Sequence, residues 1–86
     1  MGRTARSRPK YLAQKLLDIR VKLGLSQNEM LVRLGLAEKL NRTAISGYEL
    51  GTSEPPLSTI LKYAQLAGVS TDVLIDDKLD LPKKLK

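Results

Sequence analysis

The 86 residues leave room for one small domain, too little for a two-domain enzyme, and the 42% hydrophobic share is carried by 17 Leu, with no Phe or Trp and three Tyr. That mix favours packed helices over strands. The absence of Cys and His removes disulfides, zinc fingers, thiol chemistry and the commonest general base and metal ligand, so no enzyme, cofactor or metal site is expected.

The formal net charge of +6 lies entirely in the first half: residues 1–50 hold ten Lys/Arg against four Asp/Glu, whereas residues 51–86 hold five of each. Such a surplus attracts a polyanion, though it also serves as ordinary solubilising charge. Residues 1–10 read as a basic arm through Arg3, Arg6, Arg8 and Lys10. No apolar run approaches the roughly 18 residues of a membrane span, and the expectation is a soluble, cytoplasmic protein.

From Pro9 to Leu23, Leu12, Leu16, Ile19 and Leu23 recur at helical spacing, with Pro9 suited to a first turn and Gly24 to a stop. Ser26 and Glu29 have the spacing of a capping box, opening a second helix whose apolar face is Met30, Leu31 and Leu34, ending near Gly35. Residues 36–40 either extend that helix or form a turn of their own. Asn41 is a good N-cap for a third helix over Arg42–Leu50, closed by Gly51.

Pro55 and Pro56 make residues 52–56 a loop. A fourth helix over Leu57–Ala67 is expected to bury Leu57, Ile60, Leu61, Ala64 and Ala67 and to stop at Gly68. Ser70 is placed to cap a short fifth helix offering Val73, Leu74 and Ile75 for burial. The tail, 76–86, carries Leu79, Leu81 and Leu85 among charges and Pro82, which fits an extended segment docked on a surface or a disordered end. The division expected is an arm over 1–10, a helical domain over 11–75 and a tail over 76–86.

Two short capped helices after a longer amphipathic one are what a helix-turn-helix requires: one helix enters the major groove and the other braces it. Over about Leu12 to Leu74 the chain resembles the Cro/CI-type, or xenobiotic-response-element-type, helix-turn-helix domains of phage repressors and bacterial regulators. The resemblance is carried by residues 20–27 (RVKLGLSQ), 43–51 (TAISGYELG), 55–57 (PPL) and 66–70 (LAGVS). It implies an all-α, compact, five-helix lambda-repressor-like fold that binds double-stranded DNA to regulate transcription.

The resemblance also implies roles for residues. Gln27 matches a phosphate-contacting position that supports the recognition helix, and Arg42, Thr43 and Ser46 match the positions that meet DNA. Ala44, Ile45 and Tyr48 fall on the inward side. Arg42 is the preferred base reader, since a guanidinium matches the N7 and O6 acceptors of guanine, although it also suits a phosphate. Gly47 replaces a longer polar residue and permits close backbone approach. Thr52 and Ser53 are candidate phosphate contacts through hydroxyl and backbone N–H, and Arg3, Arg6 and Arg8 are candidate arm contacts with backbone or minor groove. Arg20 and Glu49 match a structural ion pair.

The chain departs from the family pattern in placing five residues between Gly35 and Asn41 where one is usual, so about four are inserted inside the motif. POU-type domains resemble this variant. Leu31 stands where the family has a small residue, and Leu50 where a polar one is common. A homodimer on a two-fold operator is expected, joined through the fifth helix and the leucines of the tail, the alternative being a monomer whose tail covers its own core. The alternative is a protein-interaction module such as an antitoxin or coactivator.

Overall fold

In the computed structural model, which describes residues 9–85, five helices follow one another: α1 (Leu12–Leu23), α2 (Gln27–Leu34), α3 (Arg42–Leu50), α4 (Leu57–Ala67) and α5 (Thr71–Ile75). No strand occurs among the described residues. Helix α1 packs on α3, α4 and α5, and α2 on α3 and α4. The core between them is built on fully buried Leu16, Ile19, Met30, Ile45, Tyr63 and Leu74.

The local signals at the middle helices hold. Ser26 Oγ accepts from the Glu29 amide at 3.0 Å while Glu29 Oε1 accepts from the Ser26 amide at 2.8 Å, so the capping box is complete. Asn41 Oδ1 accepts from the Thr43 amide at 3.0 Å and opens α3. Leu31, although large, is accommodated at 4% exposure.

The insertion is a turn of its own and does not lengthen α2. Gly35 has a φ of +74°, a left-handed conformation that closes a helix and suits glycine. The Leu40 amide then donates to the Leu36 carbonyl at 2.9 Å, closing a single turn. Leu36 is buried and Leu40 packs partly against the core, so the extra residues are pinned by two leucines.

Elsewhere the structure corrects the sequence. Helix α1 begins at Leu12, not at Pro9, and its N-cap Tyr11 makes no side-chain cap bond. Ser70 occupies the N-cap of α5 but its hydroxyl makes no cap bond either. Helix α4 buries Thr59, Ile60, Tyr63, Ala64 and Ala67, leaving Leu57 and Leu61 exposed at 71% and 47%. Two stripes share the helical period there, and the one carrying the tyrosine faces the core. Ile75 of α5 also stays exposed.

The tail is docked on its own chain. Leu81 and Leu85 pack partly against the core, and Lys22 Nζ donates to the Pro82 carbonyl at 2.9 Å. The anchor is Lys15, only 6% exposed. Its ammonium donates to the carbonyls of Val73, Asp76 and Leu79 at 2.8, 3.0 and 2.8 Å, so it serves as the C-terminal cap of α5. A buried ammonium is tolerated only when its protons are so matched.

Replacing Lys15 by Met keeps the apolar stem and strands the carbonyls of Val73 and Leu79, while that of Asp76 keeps the Leu79 amide at 3.0 Å. Lys15→Met is expected to lower unfolding free energy by about 3 kcal/mol, measured by urea denaturation, with hydrogen exchange rising first over residues 73–79.

Candidate nucleic-acid interface

Helix α3 has two unlike sides. Ile45 and Tyr48 are buried in the core, while Arg42 and Thr43 are exposed and Ser46 is half-buried. The expected sides therefore hold for Arg42 and Thr43 outward and for Ile45 and Tyr48 inward, whereas Ser46 and Ala44 are both half-buried, Ala44 packing partly against the core. Lys39, which the sequence reading did not single out, is exposed two residues before the cap; its signal was a lysine in the segment leading to Asn41. Leu50, at 74% exposure, is open to solvent at the far end of the helix.

The orientation of α3 is set by a charge joint. Arg20 Nε and Nη2 donate to the two carboxylate oxygens of Glu49 at 2.7 and 3.0 Å, a bidentate fork that fixes angle as well as distance. Arg20 Nη1 also donates to the Leu25 carbonyl at 2.9 Å. The side chains are 18% and 5% exposed, so the expected ion pair between α1 and α3 is present and largely shielded from water. The bond to Glu49 pushes the Arg20 pKa above its ordinary value, against the opposing effect of burial.

Gln27 joins the same network, Nε2 donating to Glu49 Oε1 at 3.2 Å. It therefore braces the start of α2 against α3. Tyr63 lies under the joint. Burial, and after it the charge of Glu49, pushes its phenol pKa up, and its hydroxyl has no hydrogen-bond partner among the described residues.

The loop after α3 is gathered onto one carbonyl. The amides of Thr52 and Ser53 donate to the Gly47 oxygen at 3.0 and 3.2 Å, and Thr52 Oγ1 donates to it at 3.4 Å. The two backbone N–H groups proposed from sequence for a phosphate are thus already engaged, and the Ser53 hydroxyl is the side-chain donor to consider in their place. Gly47 does permit a close approach, but by Ser53: a Cβ at residue 47 would lie 2.9 Å from Ser53 Oγ.

Around this face, Pro9 and Lys10 share a cleft with Tyr48, Gly51 and Ser53, so the chain enters the fold beside the loop that follows α3. Arg3, Arg6 and Arg8 lie outside the described residues. No group of acidic residues suited to a metal ion occurs among the described residues, and none of their helices is long and apolar enough to cross a membrane.

Comparison with known proteins agrees with this geometry. A helix-turn-helix family model matches residues 16–74. A SPbeta prophage-derived uncharacterized HTH-type transcriptional regulator, YonR, of Bacillus subtilis (strain 168) is 37% identical over 62 residues, which is 72% of this chain and 54% of the relative. The chain thus spans about half the length of that protein. The crystal structure of a hypothetical transcription factor, NHTF, from Neisseria superposes with a TM-score of 0.65 at 28% identity, covering 87% of this chain and 84% of the other.

Removing one partner of the joint leaves the other charge shielded and unmatched. Arg20→Met is expected to cost about 3 kcal/mol, and Arg20→Met with Glu49→Met is expected to recover most of it. Thermal unfolding of the three proteins checks the cycle, and equal losses in the single and double variants contradict it.

Proposed function

Because the chain belongs to the helix-turn-helix family, of the Cro/CI type, we propose that it is a sequence-specific regulator of transcription that lays α3 in the major groove of duplex DNA. The observation that carries this reading is the two-sided helix: exposed Arg42 and Thr43 on one side, buried Ile45 and Tyr48 locked into the core on the other. A groove-reading helix needs both, because a mobile helix cannot hold a bidentate contact in register. Arg42 reads guanine, Thr43 and Ser46 contact bases or a thymine methyl, and Gln27 and Ser53 take phosphates with Thr52 supporting the loop. Residues 1–10 act as a basic arm to the domain over 11–75, and the protein is a cytoplasmic binding protein with no reaction of its own.

The active form on a two-fold operator is a homodimer, with half-sites about 34 Å apart. The tail is less suited to the interface than its sequence suggested, since it covers its own chain. The open apolar surface is instead a cleft of about 630 Å³ walled by Pro55, Pro56, Leu57, Ile60 and Ile75. The same cleft favours the second reading, a protein-interaction module such as an antitoxin or coactivator; a complex with such a partner is retained at high salt and indifferent to Arg42→Ala.

Selection from random duplexes at two salt concentrations tests the regulator reading. Wild type is expected to return a shared motif, and Arg42→Ala to relax one position of it by about 1–3 kcal/mol of discrimination. Gln27→Ala is expected to weaken all sites evenly and to leave the salt slope unchanged, since a neutral amide displaces no counterion from a phosphate. Selected duplexes with no common sequence overturn the reading.

For assembly, sedimentation of the protein on its selected duplex is expected to show two chains per site. Leu57→Glu, at a position already 71% exposed, is expected to bind a half-site normally and lose the second chain. A wild type that occupies its whole site as one chain excludes the dimer.

A further inference from the structure

A glycine stands in the middle of the recognition helix without a backbone reason. Residues 43, 46, 47 and 50 share one face of α3 by the helical period, opposite buried Ile45 and Tyr48, and Thr43 and Leu50 on that face are exposed. Gly24, Gly35, Gly51 and Gly68 have a positive φ, whereas Gly47 does not. Inside a helix glycine is less favourable than alanine. What residue 47 gains by lacking a side chain therefore lies in what packs against it.

The loop after α3 fills that place. A Cβ at residue 47 would lie 2.9 Å from Ser53 Oγ, 3.3 Å from Ser53 Cβ and 3.5 Å from Thr52 Oγ1. Both Ser53 distances fall short of comfortable van der Waals contact, so a side chain at 47 displaces Ser53. The backbone presses the loop onto the same spot, the Thr52 and Ser53 amides donating to the Gly47 carbonyl at 3.0 and 3.2 Å. Thr52 Oγ1 also donates to that carbonyl, so of the two hydroxyls that of Ser53 is the one not spent on it. Its oxygen occupies the space into which a longer side chain at 47 would grow.

We propose that Gly47 is a positioning residue for DNA binding: it leaves a notch on the outward face of α3 that seats Ser53, whose hydroxyl donates to a phosphate oxygen of the duplex from the place of the absent side chain. This rests on the DNA-binding reading above and adds to it a dependence of the loop's phosphate contact on the helix beneath it. The N-terminal residues of a recognition helix meet the base edges. Ser53 belongs to the loop beyond the other end, where the acceptors within reach are those of the sugar-phosphate backbone.

The test is a cycle between Gly47→Ala and Ser53→Ala in the full chain, with affinity for the selected duplex measured across a salt series and the selection of duplexes repeated for each variant. Ser53→Ala is expected to weaken binding about tenfold, as for loss of a hydrogen bond to a charged group. The selected motif and the salt slope are expected to stay as in wild type, because a neutral hydroxyl reads no base and displaces no counterion. Gly47→Ala is expected to weaken binding by a similar factor, and the double variant to bind no worse than either single one. If Gly47→Ala is unfolded by circular dichroism at the assay temperature, the substitution is made in Ser53→Gly, which removes both crowding atoms, and is expected to cost that protein no affinity. Ser53→Ala binding as tightly as wild type overturns the proposal, as does a loss from Gly47→Ala that persists in the Ser53→Ala or Ser53→Gly background, the sign of a distorted helix. A motif relaxed at one position in Ser53→Ala overturns it too, in favour of a base contact. The regulator reading fails separately, when wild type itself returns no shared motif.

Discussion

The fork between Arg20 and Glu49 is the joint on which the geometry of the recognition helix depends. It ties the last turn of α1 to the last turn of α3, and through Gln27 it takes in the first turn of α2. Hydrophobic contacts at Ile45 and Tyr48 keep α3 against the core, but apolar packing is non-directional and tolerates rotation. Two parallel charged hydrogen bonds do not. Because one oxygen of Glu49 serves both Arg20 and Gln27, any shift of α3 disturbs α1 and α2 together, so the three helices present their outward residues as one rigid surface.

The distribution of charge changes meaning once the side chains are placed. Ten of the chain's basic residues lie in the first half, yet Lys15 is enclosed by carbonyls, Arg20 is matched by Glu49 and Lys22 is bonded to the Pro82 carbonyl. These three hold the protein together. Among the described residues of that half, the positive charge free to meet a polyanion is correspondingly concentrated at exposed positions such as Arg33, Lys39 and Arg42.

What was legible in the sequence was what neighbouring residues decide. Caps at Ser26 and Asn41 and the stop at Gly35 are set by atoms within a few residues, and each lies where its spacing placed it. The Arg20 and Glu49 pair was legible only through resemblance to a family, since 29 residues separate them. Lys15 had a visible signal, standing with Leu12, Leu16 and Ile19 on one helical stripe, but its partners are 58 to 64 residues away. For the same reason the two bonds that the Asp77 carboxylate accepts from the Lys10 and Tyr11 amides, 67 and 66 residues away, were not legible. On α4, Leu57 and Leu61 compete with Thr59 and Tyr63 for the core, and only the shape of the neighbouring helices decides between them. At the candidate interface, side-chain direction followed from the helical period, whereas the prior engagement of the Thr52 and Ser53 amides depends on how the loop folds back.

The inserted turn between α2 and α3 behaves as an interchangeable spacer. It is bounded on one side by a helix closed at Gly35 and on the other by a helix opened at Asn41, and it is stitched down by Leu36 and Leu40. Its first residue, Leu36, takes part in closing α2, its amide donating to the Leu31 carbonyl at 2.9 Å. Beyond that residue the segment can change in length and composition without transmitting torque to the helices it joins, so the motif can acquire a new surface beside its recognition helix while the aim of that helix is governed elsewhere, by the joint at Glu49.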